Sequence, residues 1–444
     1  MGRKRKDDVA SDASPGEEVS AGMANLFQKF NQSTTDNNSG ELNIGSTGEE
    51  AIGIPLRPLS CRWLFGVDCF LLGKFIQIVG PPESQKTALA NEIGRWHIFN
   101  QVPIAPFDAK QHLGWYFYHL AESGRDQPDF RQSIIGHSCT QAVPRYGPDP
   151  RSPEIYEACE DWQTGLTSTI KAMEDAEDAR GRPLPAGWLP YPVAQCVDSI
   201  TALNTRANRD KTWESGHAMA SYGDVARLCT TYFQTYFAKN APWPSTLIGI
   251  NHYKPKADPR TGAISHNVPG GEHLKFGSHT TILMKRIKEI ERKTKNVYGR
   301  QIAIRTLKNS ASANNHVDFV VELLWNPPRH NEGIPQHTWW DWDAATFTLL
   351  MSFEGRQASA IDDIVKIESI DKTHQTATCK SLGLTKASWS EIGAAISGDP
   401  KVSDALSDLL GIVRRTPFRM GVPYYQQQKE AREASRKSVA TVES

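Results

Sequence analysis

The sequence has no paired C-x-x-C spacing: its seven cysteines, Cys61, Cys69, Cys139, Cys159, Cys196, Cys229 and Cys379, are scattered along the chain. That scatter disfavours a disulfide framework and a structural zinc site, and it suits a reducing cytoplasm. No run of about 18 apolar residues occurs, so no membrane-spanning helix is expected. The N-terminus MGRKRKDD is charged and lacks the apolar segment of a secretory signal, so the chain is expected to be soluble, free of membrane and not exported. Nor does charge of one sign prevail, because 50 Lys and Arg balance 50 Asp and Glu. Any nucleic-acid surface must therefore come from local clustering of cations. The RKRK cluster at residues 3–6 reads as a solvated end, with a nuclear address or a weak nucleic-acid contact as alternatives. There is no internal repeat.

What is present suggests one large core with terminal additions, the usual outcome for 444 residues. Residues 1–48 are rich in Ser, Gly, Asn, Asp and Glu and are expected to be disordered. Within them Leu26, Phe27 and Phe30 have helical spacing, which suits docking on a neighbouring subunit or packing within the chain. From residue 73 short apolar runs alternate with helical stretches: Phe75–Val79, Trp115–Leu120, Val193–Val197, Thr246–Ile250 and Thr280–Met284. Short continuous apolar strands between helices predict an α/β core, residues 49–335, with a mostly parallel sheet covered on both faces. Ile155, Cys159, Trp162, Leu166, Ile170 and Met173 recur every three or four residues and mark a crossover helix. Gln301–Thr306 and Val317–Trp325 read as an antiparallel extension of the sheet. Residues 336–375 read as a linker or extension and 376–413 as a small helical module, with Ser388 as an N-cap and Gly398-Asp399-Pro400 as a break between two helices. The basic, Gln-rich residues 414–444 are expected to form a mobile tail.

The strongest local signal is GPPESQKT, comprising Gly80, Pro81, Pro82, Glu83, Ser84, Gln85, Lys86 and Thr87, between the strand FIQIV and a helix that begins at Ala88. Its spacing matches G-x-x-x-x-G-K-[ST], in which backbone N–H groups and a helix N-terminus surround phosphates. Lys86 is then placed to reach the β- and γ-phosphates of ATP, and Thr87 to ligate Mg²⁺. Gln85 stands where the motif has glycine, so its backbone is expected to avoid the conformation that glycine alone tolerates easily. Asp198, at the end of the run Val193–Asp198, is the candidate second Mg²⁺ residue. Glu122, just beyond the strand that begins at Trp115, is the candidate to polarise the attacking water.

In this order the segments resemble the RecA family of recombinases across residues 73–325. GPPESQKT resembles the family's GPESSGKT, Ala121-Glu122 its strand-end Ala-Glu, and VDSITAL, Val197–Leu203, its VDSVAAL. DQPDF is similar to an Asp-Pro-x-Tyr segment that stacks on adenine, which assigns Asp126 and Phe130 to nucleotide binding. GINHY followed by PGGEHLKF, Pro269–Phe276, resembles the family's INQ, mobile loop and TGGNALKF. TLKNS resembles the segment bearing KNK. The resemblance implies a RecA-type core assembling head to tail, with ATP between neighbours and Glu122 as catalytic base. It also implies that Lys308 senses the γ-phosphate across the subunit boundary and that His252 couples ATP to the DNA loop. Ser310 replaces the second cross-subunit lysine and His252 replaces a glutamine. These changes, together with Gln85 and the long termini, give the chain the character of phage-encoded RecA-like strand-exchange proteins, acting in the host cytoplasm.

Two cation-bearing stretches follow strands and read as mobile loops: Asn204–Gly216 with Arg206, Arg209, Lys211 and Trp213, and Tyr253–Glu272 with Lys254, Lys256 and Arg260. Cations interleaved with an aromatic suit a sequence-independent groove for single-stranded DNA. By position they match the family's two DNA-binding loops. The expected activity is a DNA-dependent ATPase whose filament on single-stranded DNA pairs with homologous duplex DNA, helped by a single-strand-binding protein or loader. Its rivals are a recombination mediator with weak or no ATPase, and a replicative helicase on the same core.

Overall fold

The computed structural model describes residues 51–99, 114–120, 128–135, 159–175, 191–200, 222–240, 242–252, 254–257, 264–267, 271–291, 297–312, 318–326 and 337–442, with Arg182, Trp188 and Leu189. The chain divides into Met1–Gly48 and Glu49–Ser444. The first unit, with its expected helix around Leu26 and Phe30, lies outside the described residues; the second holds all the described elements.

The fold opens with β1 (Ile52–Pro55), α1 (Leu59–Phe65) and β2 (Cys69–Leu71), the two strands pairing antiparallel. Then come β3 (Phe75–Gly80), α2 (Lys86–Phe99), β4 (Trp115–Leu120), α3 (Pro128–Ile135) and α4 (Cys159–Glu174). They are followed by β5 (Val193–Asp198), α5 (Tyr222–Asn240) and β6 (Ser245–His252). A hairpin of β7 (Lys254–Ala257) and β8 (Ile264–Asn267) leads through α6 (Gly271–Gly277) to β9 (Thr280–Glu291). β10 (Val297–Asn309), β11 (Asp318–Trp325) and β12 (Thr338–Trp340) complete the main sheet.

That sheet has eight strands in the order β12-β11-β10-β9-β3-β6-β5-β4. β4, β5, β6, β3 and β9 are parallel and β10 and β11 continue antiparallel, as the apolar runs predict, and β12 adds a further antiparallel strand. Strand periodicity of two splits each central strand between two cores. Ile76, Ile78, Tyr116, Cys196, Ile248 and Ile250 join Ala88, Leu89, Ile93 and Trp96 of α2 on one face. Phe75, Val193, Val197 and Leu247 join Leu166, Ile170 and Met173 of α4 and Phe233 of α5 on the other. The crossover helix thus begins at Cys159, and Ile155 lies outside the described residues.

The C-terminal third departs from expectation. Residues expected as a linker form β12, α7 (Trp342–Leu350), α8 (Gly355–Ile364) and β13 (Ser369–Asp371), because Trp340, Trp342, Phe347 and Ile361 are buried there. The module is also not purely helical. β13, β14 (Thr376–Cys379) and β15 (Leu384–Ser388) form an antiparallel sheet beside α9 (Trp389–Gly398) and α10 (Pro400–Leu409). The Ser388 cap is as predicted: its backbone N donates to Glu391 Oε2 at 2.7 Å and its Oγ accepts from Glu391 N at 3.3 Å. The predicted break falls between α9 and α10, where Asp399 also caps α10 by accepting from Lys401 N at 2.9 Å.

The expected mobile tail is folded as far as Val442, with buried residues as far as Ala431. β16 (Thr416–Pro417) pairs parallel with β1, and α11 (Tyr424–Val442) buries Tyr424, Gln427 and Ala431. Polar composition misleads here because Gln427 replaces missing backbone partners. Its Nε2 donates to Arg419 O at 2.9 Å and Val422 O at 2.8 Å, and its Oε1 accepts from Arg419 N at 2.8 Å.

Candidate functional site

β3 ends at Gly80 and α2 begins at Lys86, so the loop joins a fully buried strand to a helix N-terminus. A Cβ on Gly80 would lie 2.4 Å from Met284 O and 2.6 Å from Ser84 Oγ, which explains why glycine opens the loop. Ser84 Oγ donates to Pro81 O at 2.9 Å and folds the loop back. Gln85 does not avoid the left-handed region as expected: its φ is 67°, and that of Glu83 is 61°. The region is accessible to non-glycine residues at about 1–2 kcal/mol each. Gln85 O accepts from Leu89 N at 3.1 Å, which ties the conformation into α2.

Lys86 is buried, and its Nζ donates to Gly80 O at 3.1 Å and Pro81 O at 2.8 Å, so the ammonium lies across the loop mouth. Thr87 Oγ1 donates to Asp198 Oδ2 at 2.7 Å, and Tyr118 OH donates to the same oxygen at 2.7 Å. Burial, followed by the Asp198 charge, pushes the Tyr118 phenol well above its usual range and keeps it a donor. The Arg131 guanidinium stands 4.6 Å from the centre of the Tyr118 ring. Three elements, α2, β5 and β4, thus meet at one carboxylate, with α3 packing Arg131 on the Tyr118 ring.

β6 lies between β3 and β5, with His252 directly opposite Gly80. Loop, Thr87, Asp198 and His252 therefore meet at the carboxyl ends of three parallel strands, where open α/β sheets form their ligand crevice. β4 reaches the same edge, with Leu120 opposite Asp198. Glu122 and Asp126 lie outside the described residues. Phe130 sits on α3, half-buried against the α2 core.

Lys308 is at the other end of the sheet. It pairs with Thr281, which pairs with Gln77 of β3, and its Nζ donates to the α6 carbonyls of Lys275 at 3.2 Å and Phe276 at 2.7 Å. A cavity of about 290 Å³ beside it is lined by Lys74, Phe75, Phe276, His279 and Ser310. Burial and then the charges of Lys74, Lys308 and Arg415 push the His279 imidazole down to about 3.

Of the candidate DNA residues, Arg206, Arg209, Lys211, Trp213 and Arg260 lie outside the described residues. Lys254 and Lys256 fall on β7, opposite Asn267 and Ser265, so this part of the second stretch is a two-stranded hairpin. Its backbone pairing is what a reading from loop composition misses. Tyr118, Arg131 and Arg286 were not anticipated either. The alternation in WYFYHL carries a signal for Tyr118, since Tyr116 and Tyr118 share one strand face.

The residues present fit a nucleotide with a hard divalent cation. Gly80 provides a cradle that a Cβ would fill, Lys86 supplies a cation, and Thr87 with Asp198 forms an oxygen donor pair suited to Mg²⁺. Among the described residues no group of three or more His, Cys, Asp or Glu could hold a metal ion. Among the described residues, too, no helix is long and apolar enough to cross a membrane. No protein-family model matches the chain, and no curated protein matches it.

Proposed function

We propose that the chain binds ATP with Mg²⁺ at the Gly80–Thr87 loop, hydrolyses it, and uses that cycle to form a helical filament on single-stranded DNA that pairs with homologous duplex DNA. The observation that carries this reading is the 2.7 Å contact between Thr87 Oγ1 and Asp198 Oδ2, made across β6 at the carboxyl edge of the sheet. A structural strand-to-helix turn needs no such pairing of a loop hydroxyl with a distant strand-end carboxylate. The sheet order, with three antiparallel strands beyond β9, supports a RecA-type core.

In this reading backbone N–H groups of the loop and the first turn of α2 hold the phosphates, and Lys86 compensates charge that develops on the γ-phosphate. Thr87 and Asp198 hold the Mg²⁺, which supplies charge neutralisation at the phosphates when bound. Glu122 orients the attacking water. Asp126 and Phe130 border the base. His252, beside Gly80, relays the state of the loop to the hairpin that follows β6, and Lys308 serves the nucleotide of a neighbouring copy. Arg206, Arg209, Lys211, Lys254, Lys256 and Arg260 track DNA phosphates while Trp213 stacks on bases.

ATP turnover measured with and without single-stranded DNA tests the reading, with stimulation by DNA as the expected result. Replacing Arg206, Arg209 and Lys211 together with Ala should weaken single-strand binding and flatten its log–log salt slope by roughly 0.7 for each phosphate no longer neutralised. Wild-type affinity and slope in that variant would remove the first stretch from the DNA surface. Turnover that ignores DNA in the unaltered chain would favour the mediator.

A further inference from the structure

The phosphate loop contains a carboxylate where it is to receive a polyanion. Glu83 is the fourth of its eight residues, with a side chain 67% exposed. Left alone, that charge would oppose a triphosphate, which carries several negative charges at neutral pH. It is not alone. Arg286 Nη1 lies 2.9 Å from Glu83 Oε2.

Strand register puts Arg286 there. β9 runs beside β3 with Leu283 opposite Val79, and the bare Gly80 lets Met284 O approach the loop. Two residues on, along the face that holds buried Ile282 and Met284, Arg286 reaches the loop just as β9 leaves the core. Beyond it the strand is exposed and pairs with β10. There Glu289 lies 3.6 Å from Arg286 and 3.5 Å from Arg300, so one guanidinium is shared between a loop carboxylate and a ribbon carboxylate.

We propose that Arg286 is a positioning and selectivity residue of the phosphate loop: by holding Glu83 it cancels the loop's own negative charge and sets how strongly a more highly charged nucleotide is favoured over a less charged one. This rests on the loop being the nucleotide site. The effect is electrostatic, so it grows with ligand charge and shrinks with salt. A purely structural role would weaken all nucleotides alike.

The test is equilibrium binding of the full chain to ADP and to a non-hydrolysable ATP analogue at low salt, in the presence of Mg²⁺. Arg286→Gln should weaken the ATP analogue roughly tenfold, as expected for one uncompensated charge at a partly exposed site, and ADP clearly less. Glu83→Gln combined with Arg286→Gln should restore near-wild-type affinity for both, and Arg286→Lys should lose only part of the effect. Equal losses for ADP and the ATP analogue, no loss at all, or failure of the double variant to recover would each overturn the proposal. Lys86→Ala separates the two readings. If the unaltered chain binds neither nucleotide, or if Lys86→Ala binds as tightly as the unaltered chain, the loop is not the nucleotide site. If Lys86→Ala loses binding while Arg286→Gln keeps it, only the role of Arg286 falls.

Discussion

The two ends of β3 handle charge in opposite ways. At its carboxyl end, charged groups meet complementary partners: Lys86 donates to two carbonyls, Asp198 accepts from Thr87 and Tyr118, and Glu83 pairs with Arg286. At its amino end, the charges acting on His279 are those of Lys74, Lys308 and Arg415, all of one sign. The first end is assembled largely from one short motif. The second draws on residues from 74 to 415, which the fold alone brings together. A compensated site is preorganised for chemistry at the cost of little repulsion. At the other end burial and the neighbouring cations act against the protonated form of His279, which stays neutral.

The contrast between the two ends can be broken most severely at the compensated one. Lys86→Ala should abolish ATP hydrolysis, with turnover down by at least about 1,000-fold, because it removes the ammonium that lies across the loop mouth. Phosphate release measures this, and unchanged turnover would remove the loop from the chemistry. Tyr118→Phe is expected to cost about 1–3 kcal/mol in chemical denaturation, since it takes a hydrogen-bond donor from a buried carboxylate. A change within error would show that solvent or another donor replaces the phenol.

The crowded end is sharpened by pH. His279 is held at about 3 when folded, against 6.5 for the free side chain. Between those values the unfolded chain binds a proton that the folded chain refuses, so stability present above pH 6.5 is lost as pH falls. From pH 7 to pH 5 the loss should be at most about 2 kcal/mol, and less with solvent screening of this half-buried ring. Denaturant midpoints of His279→Gln should show a correspondingly flatter pH profile, and an unchanged profile would locate the proton uptake elsewhere. The smallest effect is expected for Gln85→Gly, which relieves a left-handed residue at φ 67°. It should stabilise by about 1 kcal/mol or less, because glycine gains folded-state ease while losing more chain entropy. Destabilisation would mean that the Gln85 side chain matters more than its backbone.

Much of the core was legible in sequence because parallel strands buried on both faces are continuous apolar runs, as in FIQIVG and VAQCVD. The loop was legible because its chemistry is local. Tyr118, Arg131 and Arg286 were not, since their roles depend on which strand lies beside which and in what register. A basic residue such as Arg286 looks like solvated surface until Leu283 is placed opposite Val79. The sheet within the C-terminal module escaped notice because TATC and LTKAS are too short to show a period. Gln427 was misread for a different reason: composition counts a polar side chain as a sign of solvent, whereas here it is 1% exposed and supplies hydrogen bonds that the backbone lacks.

The pairing of β1 with β16 has a consequence for how the protein is made. Ile52 finds its partner in Thr416, Val67 bridges Val413, and Arg415 N donates to Asp68. The strand β1 therefore waits for residues 413–417, more than 300 positions later in the chain. At roughly 5–20 residues per second, some 20–70 s of synthesis separate the two. Throughout that interval β1 can pair on one side only, leaving an open strand edge on every nascent chain of a polysome. The edge of β1 that faces β16 is completed only once Thr416 and Pro417 have been made.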